Sequence, residues 1–168
     1  MAIAQSLLPE FAHEMATTRK LLGLVPAAHA HWKPHPKSTS LGELAMHLGN
    51  IPSWTAATLQ QTELHLNPPG GPAWTTPKFE SVAMLLQAFD DNVAAGQAAI
   101  AAASDTDFMV PWTLKNAGEV VFTLPRIATL RSFVISHMIH HRGQFTVYLR
   151  LRDVPLPSVY GPTADVTL

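Results

Sequence analysis

Ser136-His137-Met138-Ile139-His140-His141-Arg142-Gly143-Gln144 decides how the rest of the chain is read. It lies within Pro125 to Leu151, where Ile127, Leu130, Val134, His137, His141, Gln144, Tyr148 and Leu151 recur three or four residues apart. That is the spacing of one helix face. The stripe begins apolar, turns polar for three positions, and ends apolar or amphipathic. Residues four apart stand one turn above one another, so His137 and His141 present their rings side by side. Two imidazoles at that spacing can grip one metal ion. Equally, they can be core histidines satisfied by hydrogen bonds, and this helix by itself leaves both readings open. Three polar groups in an apolar seam are costly without a specific partner.

Outward from this stretch, composition narrows the chemistry. The chain has no cysteine, which excludes disulfides, thiolate ligands and a cysteine nucleophile, so any metal must be held by His, Asp or Glu. A net charge of -1 and the lack of a Lys/Arg cluster argue against nucleic-acid binding. With 47% hydrophobic and 14% charged residues, the 168-residue chain is expected to form one domain, residues 1–168, with a proper core. The first ten residues lack a basic, apolar leader pattern, and no run reaches the length of a membrane span. A soluble, cytoplasmic protein with no membrane partner is the expectation.

Four helical segments are predicted. The first covers Ile3 to Leu24, with Ile3, Leu7, Phe11, Met15, Thr18 and Leu22 inward, and Gly23 and Pro26 stop it. A connector, residues 27–39, carries His29, His31 and His35, each read as a solvent-facing loop residue, with Trp32 tucked onto the core. Ser40-Leu41-Gly42-Glu43 has the form of a capping box and opens the second helix, which Pro52 should kink. His47 falls on that helix's inward face. Alone it reads as a core or rim residue; beside the His137/His141 pair it becomes the obvious third ligand. Glu43, one turn earlier, could buttress it, although capping already explains that carboxylate. Breaker chemistry at residues 67–72 precedes a third helix predicted to start at Thr76-Pro77, with Phe79, Val82, Leu86, Phe89, Val93, Gly96 and Ile100 inward. Ala103 to Leu124 then reads as a long cover, with a short hairpin turning at Asn116-Ala117-Gly118. Trp112 either walls a pocket or fills the end of the core. The tail, Asp153 to Pro162, is expected to lie down on the helices. An all-α chain of this pattern is most economically a four-helix bundle, whose metal sites sit between facing helices.

His137-Met138-Ile139-His140-His141-Arg142-Gly143-Gln144, running on to Tyr148-Leu149-Arg150, resembles the fourth-helix signature of the DinB family, also called DinB/YfiT-like. Trp32-Lys33-Pro34 with Ser40 to His47 is similar to its second motif, and Val154 to Pro162 to its C-terminal tail. In the tail, Thr163-Ala164-Asp165-Val166 stands where Ser-Ala-Asp-Glu is common. The resemblance implies a four-helix bundle in a mirror variant of up-and-down topology, commonly a homodimer. It also implies a divalent ion, zinc or nickel, on His47, His137 and His141, with His140 not a ligand. Some members of the family are thiol-dependent transferases or isomerases.

Three neutral imidazoles leave coordination positions open, as catalytic sites do. Such an ion acidifies a water or an incoming thiol. With no cysteine in the chain, a thiol has to come from a small-molecule cosubstrate. The leading expectation is therefore a metal-dependent enzyme, either a thiol-dependent transferase or a hydrolase. The alternative is a metal-binding helical bundle that serves as a binding or sensor protein without turnover.

Overall fold

The first helix, α1 (Ile3–Leu22), follows the expected stripe, with Leu7, Phe11, Met15, Thr18 and Leu22 buried. Glu14 is buried as well. The structure is a computed structural model and describes residues 2–166. Gly23 ends α1, its N–H donating to the Arg19 carbonyl at 3.1 Å. A 3-10 turn, Ala27–His29, leads to α2 (Leu41–Asn50). The capping box forms as predicted. Ser40 Oγ accepts from the Glu43 N–H at 3.2 Å, and Glu43 Oε2 accepts from the Ser40 N–H at 2.6 Å. Pro52 does more than kink the second helix. It lacks the N–H that would continue the ladder, and the helix restarts as α3 (Ser53–Gln60).

β1 (Glu63–His65) follows, and then an extended stretch that runs up to α4 (Val82–Ala102). The third long helix thus begins later than Thr76-Pro77. Ser81 caps it, its hydroxyl accepting from the Met84 N–H at 3.1 Å. The buried line of α4 is Leu85, Phe89, Gly96, Ala99 and Ile100, with Leu85 fully buried and Leu86 at the edge of the core. Residues 75–80, left outside the helix, are free to cross the body. They lie close to α2 because Gly42 has no side chain; a Cβ there would meet Phe79 Cβ and the Ala30 carbonyl oxygen, both at 3.0 Å.

The expectation of an all-helical bundle needs correcting. The chain is mostly helical, but after α5 (Asp105–Met109) it forms β2 (Pro111–Asn116) and β3 (Glu119–Pro125), and with β1 these make a small sheet in the order β1-β2-β3. β1 runs parallel to β2, and β2 antiparallel to β3. Along β2, Trp112 and Leu114 are buried while Thr113 and Lys115 are less so, the alternation of a half-buried strand. Ala117 and Gly118, both at positive φ (50° and 87°), supply the tight hairpin turn. Trp112 is completely buried, packed beside Phe122 and Phe133 where the sheet meets the helices. The segment 103–124 therefore packs as structure rather than as a cover.

The last long helical run has three parts: α6 (Arg126–Thr129), a π-helical segment (Leu130–Ser136) and α7 (His137–Arg150). The residues at both junctions keep right-handed helical backbone angles, so the run is continuous. Ser132 donates its hydroxyl to the Ala128 carbonyl at 2.7 Å, a contact that competes with the regular ladder. A π-turn accommodates about one extra residue, which rotates everything beyond it by about 100°. The burial pattern shows the consequence. Leu130, Val134 and Ile135 are all buried, so the π segment turns two adjacent residues inward, and the core line continues through Met138, Arg142, Phe145 and Leu149. The line His137-His141-Gln144 runs beside that seam, not down its middle.

One contiguous apolar core draws on all the long helices, with Leu7, Phe11, Leu48, Leu85, Phe89, Val134, Met138 and Phe145 inaccessible or nearly so. Each such side chain contributes about 1.5–3 kcal/mol. The tail lies on the helices as expected, Val154, Leu156 and Val159 packing against this core. Ile135 is buried, and Ile139 lines a small cavity of about 430 Å³ together with Leu156 and Val159. No helix among the described residues is long and apolar enough to cross a membrane.

Candidate metal centre

The flank position of His137 and His141 points their rings across to α2, where His47 stands in the second turn. His47 Nε2 lies 3.2 Å from His137 Nε2. The ring centroids of His47 and His137 are 5.2 Å apart, and that of His141 stands 4.6 Å from both. One nitrogen from each of the three rings falls within 4.8 Å of the others. Nitrogens in a tetrahedral shell at 2.0–2.1 Å from an ion stand about 3.3 Å apart, and the His47–His137 separation matches that edge. The donor set fits a divalent ion.

All three rings are half-buried, and burial governs their protonation. His47 is pushed down to about 4, by desolvation first and then by the neighbouring His141 and His137. His137 is also pushed down to about 4, by desolvation and by His141, against a hydrogen bond to the Phe133 carbonyl that favours the charged ring. His141 is lowered by desolvation, and its bond to Gln144 opposes the shift. At neutral pH these rings are uncharged, with lone pairs available for coordination.

This has a measurable cost in acid. The unfolded imidazole titrates near 6.5, so between about pH 6.5 and 4 the unfolded chain holds more protons than the folded one. Their contribution is intact above pH 6.5 and is lost as pH falls towards 4. Melting of chelated protein is expected to show a steady fall in Tm over that window, flattened in a His47→Gln, His137→Gln double variant. Equal slopes in the two proteins would show that these rings are not held neutral.

Aromatic side chains wall the rings on one side. Trp54 of α3 stacks on Phe133 of the π segment at 4.6 Å and 13°, and its ring lies 5.8 Å from His47 and 5.4 Å from His137. Phe122 of β3 stands behind Phe133 at 5.6 Å, which is how the sheet contributes to the site. The other side is open. A cavity of about 950 Å³ reaches His47, His141 and Gln144, lined by Ala27, Ala30, Leu44 and the stretch 75–80. Residues 75–80, not the segment 103–124, form a wall of the cavity on that open side.

Among the other histidines, His31 lines this cavity, His29 contacts the Arg152 guanidinium at 3.1 Å, and His35 Nδ1 accepts from the Lys37 N–H. His140 is exposed and does not join the three-ring group. Glu43 turns its carboxylate to the cap and to Lys33, 3.9 Å away, rather than to His47.

Sequence reasoning missed a second polar group. Arg142 and Glu14 form a buried ion pair at 2.6 Å, joining α7 to α1. Arg142 also donates to the Glu14 carbonyl at 3.1 Å, and the Tyr160 hydroxyl donates to the Glu14 carboxylate at 2.7 Å. The spacing of Met138, Arg142, Phe145 and Leu149 was the available signal, since it puts Arg142 on the core line.

A model of the DinB superfamily matches residues 10–145 of the chain. The chain belongs to the DinB superfamily. Over 37 residues it is 43% identical to an uncharacterized protein, YrdA, of Bacillus subtilis (strain 168), a match spanning 22% of each chain. It therefore covers only about a fifth of that relative's length. Two solved structures share the fold. A DinB-like protein from Bacillus cereus ATCC 10987 has a TM-score of 0.72 at 23% identity, covering 95% of this chain and 98% of that one. Another from Bacillus subtilis has a TM-score of 0.67 at 18% identity, covering 92% and 97%. Membership of the DinB superfamily and a three-histidine cluster compatible with a metal site thus stand together in one chain.

Proposed function

We propose that this DinB-superfamily chain is a divalent-metal-dependent enzyme that acts on a small molecule, as a thiol-dependent transferase or a hydrolase. The observation that carries this reading is the convergence of His47, His137 and His141, two of which, His47 and His141, line an open cavity of about 950 Å³. These three rings would hold the ion, zinc or nickel, through nitrogens that burial keeps unprotonated. When bound, the ion supplies Lewis-acid chemistry, lowering the pKa of a water or a thiol. The residues around it do the rest. Trp54 and Phe133 exclude water from one side, so the approach is from the cavity, past Gln144 and residues 75–80. The apolar lining from Ala27, Ala30, Leu44 and Phe79 suits the body of a small substrate. The proposal includes the four-helix arrangement of mirror topology, a single domain over residues 1–168, a cytoplasmic location and a homodimer.

Elemental analysis of protein purified without added metal is expected to find about one divalent ion per chain. A screen of small thiols with electrophiles, and of hydrolysable esters and amides, is expected to show turnover that a chelator abolishes. Bound metal with no chelator-sensitive turnover would favour a binding or sensor protein instead.

The ion should also raise Tm, since it joins α2 to α7 and binds only the folded chain. On composition alone, the gap between holo and chelated protein would close over the ordinary imidazole range. Because folded His47 and His137 take up protons only near 4, the gap is expected to persist to about pH 5 and close below it. A gap that did not close even near pH 4 would mean that histidines are not the ligands.

A further inference from the structure

Gln144 is exposed and lines the cavity, yet both ends of its carboxamide contact histidines of α7 itself. Its Oε1 lies 2.7 Å from His141 Nδ1, and its Nε2 lies 3.2 Å from His140 Nε2. An amide oxygen only accepts, so the first contact requires the proton on His141 Nδ1. The distances fit this orientation, since 2.7 Å is at the short end for N–H···O while the longer contact is nitrogen to nitrogen. Turned over, the amide would put an N–H against His141 Nδ1 and force the ring proton onto Nε2. His137 has a matching arrangement, with the Phe133 carbonyl as its hydrogen-bond partner and its Nε2 directed at His47.

We propose that Gln144 is a positioning residue that holds His141 in the Nδ1–H tautomer, leaving the Nε2 lone pair for the ion. His140 accepts the amide's hydrogen and steadies the carboxamide between the two rings. This assigns His140 and Gln144 work outside the ligand set. It rests on the metal reading above for its purpose, but not for its test.

The tautomer is read directly by nitrogen-15 NMR of metal-free protein at pH 8, above the ordinary imidazole range. His141 is expected to show a protonated Nδ1, and Gln144→Leu to lose that signature while keeping the Tm of the metal-free protein. Zinc affinity, measured by competition with a chromophoric chelator, is expected to fall about 10–100-fold in Gln144→Leu. Gln144→Glu, whose carboxylate can accept the same hydrogen, is expected to restore it. A protonated Nε2 on His141 in the wild-type protein overturns the proposal, and so does a Gln144→Leu variant with wild-type zinc affinity. If wild-type protein binds neither zinc nor nickel, the metal reading fails, and the tautomer still decides the role of Gln144.

Discussion

His137→Ala and His141→Ala are each expected to lose most of the bound divalent ion, while His140→Ala keeps it. All three side chains sit within five residues of one helix, so nearness in sequence does not separate them. Direction does. Successive residues are rotated about 100° around an α-helix, and the ring of His140 is exposed while those of His137 and His141 turn towards His47. His137 Nε2 is 3.2 Å from His47 Nε2, whereas His140 Nε2 contacts Gln144. Removing one of three protein ligands leaves two rings and solvent, too few to compete with a chelating buffer. Bound metal after gel filtration, counted by elemental analysis beside a circular-dichroism check of folding, measures this. An ion retained by His141→Ala and lost by His140→Ala would sink the assignment.

Arg142→Met is expected to destabilise the protein by about 3–5 kcal/mol, the usual cost of removing one partner of a buried ion pair. The guanidinium is 2% exposed and the Glu14 side chain 9%, so the carboxylate left behind cannot be rehydrated cheaply. Among the described residues, the Tyr160 hydroxyl alone would still donate to it. For a chain of this length the loss corresponds to a Tm lower by roughly 6–20 °C. The double variant Glu14→Gln, Arg142→Met should recover part of the loss, because an amide is cheaper to bury than a charge. Tyr160→Phe should cost about 1 kcal/mol, one hydrogen bond's worth, and loosen the tail. Denaturant melts of the four proteins form a cycle. Additive effects of Glu14→Gln and Arg142→Met would show that the pair is not coupled.

Much of the site was legible because it depends on local spacing. Four residues between His137 and His141 make one helical turn in any context, and Ser40 with Glu43 makes a capping box wherever a helix begins. The hairpin turn at Ala117-Gly118 was legible for the same reason, since a positive φ at both positions is a local requirement. The start of α4 was misread because Thr76-Pro77 and Ser81 both have the form of an opening, and only the fold places Phe79 beside Gly42, outside the helix.

What the sequence determined by itself was the donor chemistry: no cysteine, nine histidines, and three of them at positions that helices can bring onto facing sides. Which way those faces point was decided in three dimensions. The π segment Leu130–Ser136 adds its residue upstream of His137, so that Met138 and Arg142 enter the core and the histidines move to its edge. A wider turn leaves no mark in the three-and-four periodicity, because it comes from competition for backbone carbonyls, such as the bond that the Ser132 hydroxyl donates to Ala128. Tertiary packing also brought His47 from 90 residues away, set residues 75–80 along the cavity, and closed the Glu14–Arg142 pair across 128 residues. Such contacts depend on which surfaces bury together, and their energy belongs to the packed whole.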